Sequence, residues 1–121
     1  MIFSADDAIA LFRNWHNDGS WIYTQARRGS FGEHQFWAQV ARVSHKEVCF
    51  AGKDTSLSIP LANCTFEHIG LDQIPEIVLQ RFKEADCCLV MRFEGGAALI
   101  YGCRWQGRLV EGAEPNTGLH V

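Results

Sequence analysis

The sequence predicts an α+β domain with an N-terminal helix, a bent antiparallel sheet or small barrel of four or five strands, a second helix and a C-terminal β-hairpin. Three observations lead to this prediction. Two stretches carry apolar residues at helical spacing. Between them lie short apolar or alternating runs separated by turn-forming residues, which is typical of strands joined by hairpins. Two adjacent glycines then separate the last two apolar runs.

The length and composition set the scale of this domain. At 121 residues the chain fits one domain, over 1–121, and is too short for two ordinary ones. Apolar residues make up 47% of the sequence and charged residues 21%, a balance typical of globular proteins. Glycine and proline interrupt every apolar run from about residue 107 onward, so we expect a loose tail there.

The first helix is predicted over residues 4–18. Ser4 can cap its N-terminus, and Asp6 and Asp7 place negative charge near the positive end of the helix dipole. Gly19 is suited to the left-handed conformation that ends many helices. One face of this helix is apolar and is formed by Ala5, Ala8, Ile9, Phe12, Trp15 and His16.

A series of strands is predicted after this helix. Leu57, Ile59 and Leu61 alternate with polar residues or proline, the pattern of a half-buried strand. Pro60 cannot donate a hydrogen bond to a neighbouring strand, so it places this strand at an edge or a bulge. The other predicted strands span 20–28, 35–43 and 47–51, and the chain is expected to stay extended over 64–69.

The second helix is predicted over residues 75–85. Pro75 suits a first helical turn, and apolar residues recur after it at helical spacing. We expect the stripes of both helices to pack on one face of the sheet, with Ile77 and Phe82 buried.

The C-terminal hairpin, over 87–94 and 97–105, is predicted to be apolar on both faces. Gly95 and Gly96 form its expected two-residue loop, which pairs Val90 with Tyr101. A sheet with one wet face should alternate apolar and polar residues. The second face therefore needs a cover, either another layer of the same chain, as in a closed barrel, or a second subunit in a homodimer. The predicted contact residues of the dimer are Val90, Arg92, Leu99 and Tyr101.

Part of the N-terminal half resembles a known family. The pattern consists of a leading helix and three strands, Ala38-x-Val40-x-x-Val43, Val48-x-Phe50 and Leu57-x-Ile59-x-Leu61. Over the first 70 residues it resembles the Sm-like family, whose small SH3-type barrel begins with a helix and continues as five bent strands. Ala38 stands where this family has a glycine, and residues 44–47 lack the Asp or Asn that lines the family's RNA pocket. The resemblance therefore implies a barrel-like bend and carries over no binding residue.

The loop over residues 27–34 is the most suggestive local feature of the sequence. Backbone amides freed by its glycines, together with guanidinium groups, can bind a phosphate or a carboxylate. The loop is not a P-loop, because the G-x-x-x-x-G-K-[ST] spacing and a following helix are missing. A polar hairpin loop with solvated arginines accounts for the same residues. The candidate anion-binding residues are Arg27, Arg28, Ser30 and His34.

Other site chemistry has little support in the sequence. The five histidines lack the H-x-x-x-H and H-x-x-E-H spacings, so we expect no metal and no cofactor. The five cysteines contain no C-x-x-C pair, and reduced thiols in a cytoplasm are the simplest interpretation. Cys87 and Cys88 fall in an apolar strand, where burial raises the pKa of a thiol. No catalytic residue is assigned, and whether the chain is an enzyme stays open.

The charge pattern and the N-terminal residues argue against several partners. The formal net charge is −3 and the basic residues are scattered, whereas proteins that track a phosphate backbone usually carry a basic stripe. Nucleic-acid binding is therefore disfavoured. We find no signal-peptide pattern and no run of the roughly 20 apolar residues that a membrane span needs. We expect a cytoplasmic protein with no membrane partner.

These observations lead to three functional hypotheses. The first is a noncatalytic binding or interaction domain that self-associates as a dimer. The second is a small enzyme or ligand-binding domain with an anion site at the loop over 27–34. The third is an RNA-binding Sm-like barrel. A pocket with convergent His, Arg or Cys side chains would favour the second hypothesis, a flat apolar face the first, and a positive face with exposed aromatic residues the third.

Overall fold

A computed structural model describes residues 1–28, 33–74, 76–77 and 85–106 of the chain. Helix α1 spans Ala5–Asp18, and a 3-10 helix spans Leu71–Gln73. Eight strands lie within the described residues. They are β1 (Ile2–Phe3), β2 (Ser20–Arg28), β3 (Glu33–Val43), β4 (Glu47–Ala51), β5 (Ser56–Pro60), β6 (Thr65–Gly70), β7 (Ala85–Phe93) and β8 (Gly96–Gln106).

All eight strands belong to one antiparallel sheet in the order β1-β6-β7-β8-β2-β3-β4-β5. The predicted antiparallel sheet is confirmed, but the prediction of four or five strands forming a small barrel is wrong. The sheet gains strands because β8 of the C-terminal hairpin pairs along β2. Within the described residues the sheet stays open between its edge strands β1 and β5. The five-strand Sm-like barrel is therefore not the architecture of this chain.

Helix α1 begins and ends where the sequence predicts. The Ser4 hydroxyl accepts a hydrogen bond from Asp7 N, and the Asp7 carboxylate accepts one from Ser4 N, each at 3.1 Å, which completes a capping box. Gly19 follows the helix in the left-handed conformation, with φ of 64°. His16 Nδ1 lies 2.7 Å from the Val40 carbonyl oxygen, and this contact ties the last turn of the helix to β3.

Helix α1 packs on one face of the sheet, here called the inner face. The helix contacts both β3 and β6, which lie four strand positions apart in the sheet. One core cluster joins Phe12 of the helix with Phe50 of β4 and Phe66 of β6. The rings of Phe12 and Phe50 meet edge-on with centroids 5.8 Å apart. Phe12 and Trp15 are buried, as predicted for the stripe of the first helix.

Trp15 packs directly against the backbone of β8 at Gly102. A Cβ atom at position 102 would lie 2.9 Å from Trp15 Cζ2, closer than carbon atoms approach in practice. Gly102 is itself buried between Ile22 of β2 and Cys87 of β7, with which it pairs. The indole ring therefore reaches the sheet only because residue 102 has no side chain.

The turn between β7 and β8 consists of Glu94 and Gly95, whereas the sequence predicts Gly95 and Gly96. Gly95 has a φ of 84°, which supplies the positive φ that the turn needs. Gly96 already belongs to β8 and is a glycine for another reason, because a Cβ atom there would collide with the Arg27 carbonyl oxygen. The sequence pattern does not distinguish a glycine needed for its φ from one needed for close packing.

The change of turn shifts the register of the hairpin by two residues. Val90 pairs with Leu99, and Cys88 pairs with Tyr101. The predicted pairing of Val90 with Tyr101 is therefore wrong. Because side chains alternate with a period of two, a shift of two leaves each side chain on its predicted face.

Other predictions fall largely outside the described residues. The second helix, predicted over 75–85, is described only at 76–77 and at Ala85, where β7 begins instead. Ile77 is 63% exposed, which contradicts its predicted burial. Within the described residues α1 is the one α-helix with defined bounds, so the prediction of two helices is not matched. Phe82 and the tail predicted from about residue 107 lie outside the described ranges.

Strand β5 is an edge strand, as Pro60 predicts. Leu61 N donates to the Lys46 carbonyl oxygen at 2.9 Å, and the Thr55 carbonyl oxygen accepts from Gly52 N. Odd-numbered residues of this segment thus direct their backbone polar groups toward β4. The even-numbered residues direct theirs toward the free edge, where Pro60 has no N–H to offer.

Replacing Gly102 by alanine is expected to lower the free energy of unfolding by about 1–3 kcal/mol, because the added methyl group must displace Trp15. Gly70→Ala is the matched control, since a Cβ atom there would meet only the flexible Asp72 carboxylate, at 3.1 Å. Urea unfolding of the parent and both variants measures the difference. Equal stability of the parent and Gly102→Ala would contradict the close contact.

Thr24 is fully buried, and its Oγ1 has no hydrogen-bond partner in the described structure. Leaving a buried hydroxyl unpaired costs about 1–3 kcal/mol, and valine has nearly the same shape as threonine. Thr24→Val is therefore expected to raise the free energy of unfolding by about 1 kcal/mol. Thr65→Val, at an exposed strand position, should change it by less than about 0.5 kcal/mol. Urea unfolding compares the two, and a Thr24→Val variant less stable than the parent would contradict this account.

Candidate functional site

The other face of the sheet, here called the outer face, carries the predicted interface residues. It lies opposite α1, and the strand register arranges its side chains in rows that cross β3, β2, β8, β7 and β6 in turn. Three such rows form the candidate site. They are Glu33, Arg27, Ala97, Arg92 and Thr65; then Gln35, Gln25, Leu99, Val90 and Glu67; and then Trp37, Tyr23, Tyr101, Cys88 and Ile69.

The outer face is closed at one end and open at the other. At the closed end Trp37 is 1% exposed, and Ile74, which follows the 3-10 helix, belongs to the same buried cluster. At the open end Arg92 is exposed. Leu99 and Tyr101 lie between these ends and are half-buried. The chain thus covers part of this face itself and leaves the central apolar side chains partly accessible.

All four predicted interface residues lie on the outer face. Val90 is 7% exposed, Leu99 and Tyr101 are half-buried, and Arg92 is exposed. Arg92 Nη1 lies 3.7 Å from Glu67 Oε1, and these side chains are 61% and 38% exposed, so solvent weakens the ion pair. The candidate site therefore combines apolar side chains with charged side chains that stay accessible to a partner.

The structure separates the predicted anion-binding residues. Arg27 is exposed on the outer face, whereas His34 pairs with Ala26 and so lies on the inner face. The side chain of Arg28 and all of Ser30 lie outside the described residues. A different pairing appears instead, because Arg27 and Arg92 flank the small residue Ala97 on neighbouring strands. The sequence gives no sign of this arrangement, since those three residues do not form a local motif along the chain.

Two tyrosines and a thiol meet at the half-buried centre of the outer face. The Tyr23 hydroxyl donates to Gln35 Oε1 at 2.9 Å, and its ring meets Trp37 edge-on with centroids 5.2 Å apart. Burial raises the pKa of Tyr101 to about 12, with a further contribution from Cys88. Burial also raises the pKa of Cys88 to about 12, although the hydrogen bond with Tyr101 acts in the opposite direction. These groups stay neutral at physiological pH and contribute polarity without charge.

Burial favours the neutral form of the thiols in the apolar strand β7, as predicted. Burial raises the pKa of Cys87 to about 11, and the nearby Asp86 carboxylate raises it further. All five cysteines of the chain are free. Sequence reasoning missed one cluster around Cys49, in which Arg42 and Ser58 contact the sulfur. These residues become neighbours only when β3, β4 and β5 pair.

The raised pKa values of these thiols and of Tyr101 predict destabilisation at alkaline pH. In the unfolded chain the pKa values return to 9.0 for Cys87 and Cys88 and to 10.0 for Tyr101. As the pH rises, the unfolded chain therefore releases protons that the folded chain still retains. Their stabilising contribution is complete below about pH 9 and is lost as the pH rises toward about 12. Urea unfolding at about pH 7 and about pH 10.5 measures this loss.

Tyr101→Phe should make the free energy of unfolding fall less steeply above about pH 10, because one of the retained protons is gone. Phenylalanine keeps the ring and removes only the hydroxyl. A parent protein whose stability is constant from about pH 9 to about pH 12 would contradict the predicted shifts.

The described residues contain no group of three or more His, Cys, Asp or Glu side chains placed to bind a metal ion. None of the helices in the described part of the chain has the length and apolar character needed to cross a membrane. The chain matches no protein-family model, no curated protein and no solved structure. The geometry of the outer face is therefore the basis on which a function can be assigned.

Proposed function

We propose that this chain is a noncatalytic interaction domain that self-associates as a dimer through the open end of its outer face. One observation carries the proposal. Leu99 and Tyr101, both half-buried, lie at the centre of a patch whose margins carry Arg27, Arg92 and Glu67. An apolar centre enclosed by a polar, charged rim is the usual anatomy of a protein interface.

The residue types at the centre also favour an interface. Tyrosine and arginine are enriched where proteins associate, since a tyrosine ring offers a large contact area at a small entropic cost. Tyr101 is only half-buried within its own chain, so a partner can cover the rest of its ring. Burying the remaining apolar surface of Tyr101 and Leu99 stabilises the associated state by roughly 25 cal/mol per Å².

With Glu33, which pairs with Arg27, the rim carries two arginines and two glutamates, and this balance suits a contact between identical surfaces. Arg92 lies one strand and one row from Leu99, at about 8 Å, and Glu67 lies two strands away in the same row, at about 10 Å. Consider a twofold axis that passes through Leu99 in the plane of the outer face, midway between the directions to Arg92 and Glu67. Rotation about this axis places the Arg92 of one copy over the Glu67 of the other. Each Arg92 then faces the Glu67 carboxylate of the second copy.

The same charge balance gives less support to an anion site. Arg27 pairs in register with Glu33, and Arg92 lies beside Glu67. Each of the two arginines that flank Ala97 therefore has a carboxylate close by. A phosphate or sulfate would have to compete with these carboxylates, whereas a second copy brings charges of both signs.

Leu99→Asp is expected to convert the dimer to a monomer, because a charge at the centre of the contact would be buried without a partner. Sedimentation velocity at micromolar protein measures the change. Ser56→Asp is the matched control, since Ser56 is exposed on the edge strand β5 and should leave the dimer intact. A parent that sediments as a monomer overturns the proposal, and a dimer that survives Leu99→Asp places the contact on another surface.

Mixing two charge-reversed variants tests whether the rim charges of the two copies attract each other. The Arg27→Glu/Arg92→Glu variant has an acidic rim, and the Glu33→Lys/Glu67→Lys variant has a basic one. Each variant alone should be monomeric through like-charge repulsion, whereas an equimolar mixture should form a heterodimer that dissociates at high salt. Homodimers of either variant, or no association in the mixture, would contradict the complementary rim.

A further inference from the structure

Strand β1 is a two-residue strand at the edge of the sheet, and it carries one side chain on each face. Ile2 pairs with Glu67 of β6, and Phe3 pairs with Phe66. Directly paired residues share a face, so Ile2 lies on the outer face beside Glu67, whereas Phe3 lies on the inner face. Ile2 is 77% exposed, and Phe3 is half-buried against the core. One short strand therefore contacts both the core and the face proposed for the dimer.

Ile2 extends the row of the outer face that passes through the centre of the proposed contact. This row continues from Leu99 through Val90 and Glu67 to β1. Ile2 is thus three strands from Leu99, at about 14 Å. An interface of ordinary size covers about 800 Å² of each partner, which corresponds to a disc about 16 Å in radius. A second copy centred on Leu99 therefore covers Ile2 as well.

A small set of interactions attaches β1 to the sheet. The Phe3 ring stacks on the His68 imidazole, with centroids 4.8 Å apart and ring planes 5° from parallel. His68 N donates to the Met1 carbonyl oxygen at 2.8 Å, and the terminal ammonium group donates to the His68 carbonyl oxygen at 3.0 Å. Ser4 follows β1 and caps α1, so β1 can leave the sheet by backbone rotation at this residue while the helix stays in place.

The imidazole of His68 is half-buried on the inner face, and burial lowers its pKa below the ordinary value of 6.5. The positive charge of the terminal ammonium group lowers this pKa further. On the neighbouring strand β7, His68 pairs with the apolar residue Leu89. The charged side chains nearest along the other elements are Asp6 and Asp7 in the first turn of α1 and Asp72 in the 3-10 helix.

Acidification therefore weakens the attachment of β1. When β1 leaves the sheet, His68 loses the covering Phe3 ring and the nearby ammonium group, and its pKa returns toward 6.5. The attached state binds the proton less readily than the released state. Attachment is thus complete above about pH 6.5 and weakens as the pH falls below this value.

We propose that β1 is a pH-sensitive strap that completes the dimer contact with Ile2 and is released when His68 is protonated. This inference rests on the proposed dimer. Association of two copies favours the attached strap, and release of the strap favours the monomer, because the two equilibria are linked. Each dimer contains two straps, so a loss of attachment in each copy enters the dissociation constant twice.

Sedimentation velocity over a range of protein concentrations gives the dissociation constant of the dimer at about pH 7.5 and about pH 5.5. We expect the parent dimer to be at least about threefold weaker at the lower pH. His68→Phe keeps an aromatic ring against Phe3 and removes the titrating group, so this variant should lose that pH dependence. A parent with equal constants at both pH values overturns the inference. So does a His68→Phe variant that keeps the pH dependence of the parent.

Phe3→Ala tests the strap from the face opposite the contact. Phe3 does not face a second copy on the outer face, yet its loss should weaken the dimer near pH 7.5 at least about threefold, as should Ile2→Ser. Phe36→Ala is the matched control, since Phe36 is another half-buried phenylalanine of the inner face and should leave the constant unchanged. Circular dichroism verifies that each variant is folded, and the exposed position of Ile2 makes Ile2→Ser independent of the core.

The outcomes separate the strap from the dimer itself. A parent dimer whose constant is unchanged by Ile2→Ser, or by a folded Phe3→Ala variant, overturns the strap and leaves the dimer in place. A parent that is monomeric near pH 7.5 overturns the dimer and the strap together.

Discussion

The contact between Trp15 and Gly102 is the constraint on which the rest of the structure depends. The indole ring lies against the β8 backbone because Gly102 has no side chain, and the neighbouring Phe12 then packs against Phe50 of β4. This position holds α1 within the inner face. With one face of the sheet filled by the helix, the part of the opposite face that the chain does not cover itself is left to meet solvent or a partner.

Strand β8 joins parts of the chain that are distant in sequence. It pairs with β7, its neighbour along the chain, and with β2, which lies more than 60 residues earlier. The rows of the outer face therefore combine side chains from two halves of the sequence, as when Arg27 and Arg92 flank Ala97. Strand β8 therefore contributes both to the contact with the helix, at Gly102, and to the outer face, at Leu99 and Tyr101.

Local features of the fold could be predicted from the sequence, because their causes are local. The capping box at Ser4 and the terminating Gly19 define α1, and period-two alternation defines most strands. The order of the sheet could not be predicted, since no local pattern specifies that β2 pairs with β8 or β1 with β6. The predicted hairpin register was shifted because Gly95 and Gly96 both fit a turn, although only Gly95 has a positive φ.

For the candidate sites too, local features could be predicted from the sequence and the pairing of distant strands could not. The four predicted contact residues share one face of the sheet, because alternation assigns faces correctly even when the register shifts by two. Arg42, Cys49 and Ser58 were not recognised as a cluster, since each belongs to a different strand and none has a motif around it. The prediction placed Arg27 and His34 in one loop, but they belong to the paired strands β2 and β3, with their side chains on opposite faces.

Pro60 has a consequence for how copies of the chain can meet. An exposed edge strand is a template on which another chain can add a strand, and repeated addition of this kind produces fibres. At the free edge of β5, Pro60 denies an incoming strand one of the hydrogen bonds that such growth requires. The proposed dimer uses a face of the sheet instead, where a twofold arrangement is complete after two chains. Proline in β5 thus disfavours open-ended strand addition at this edge.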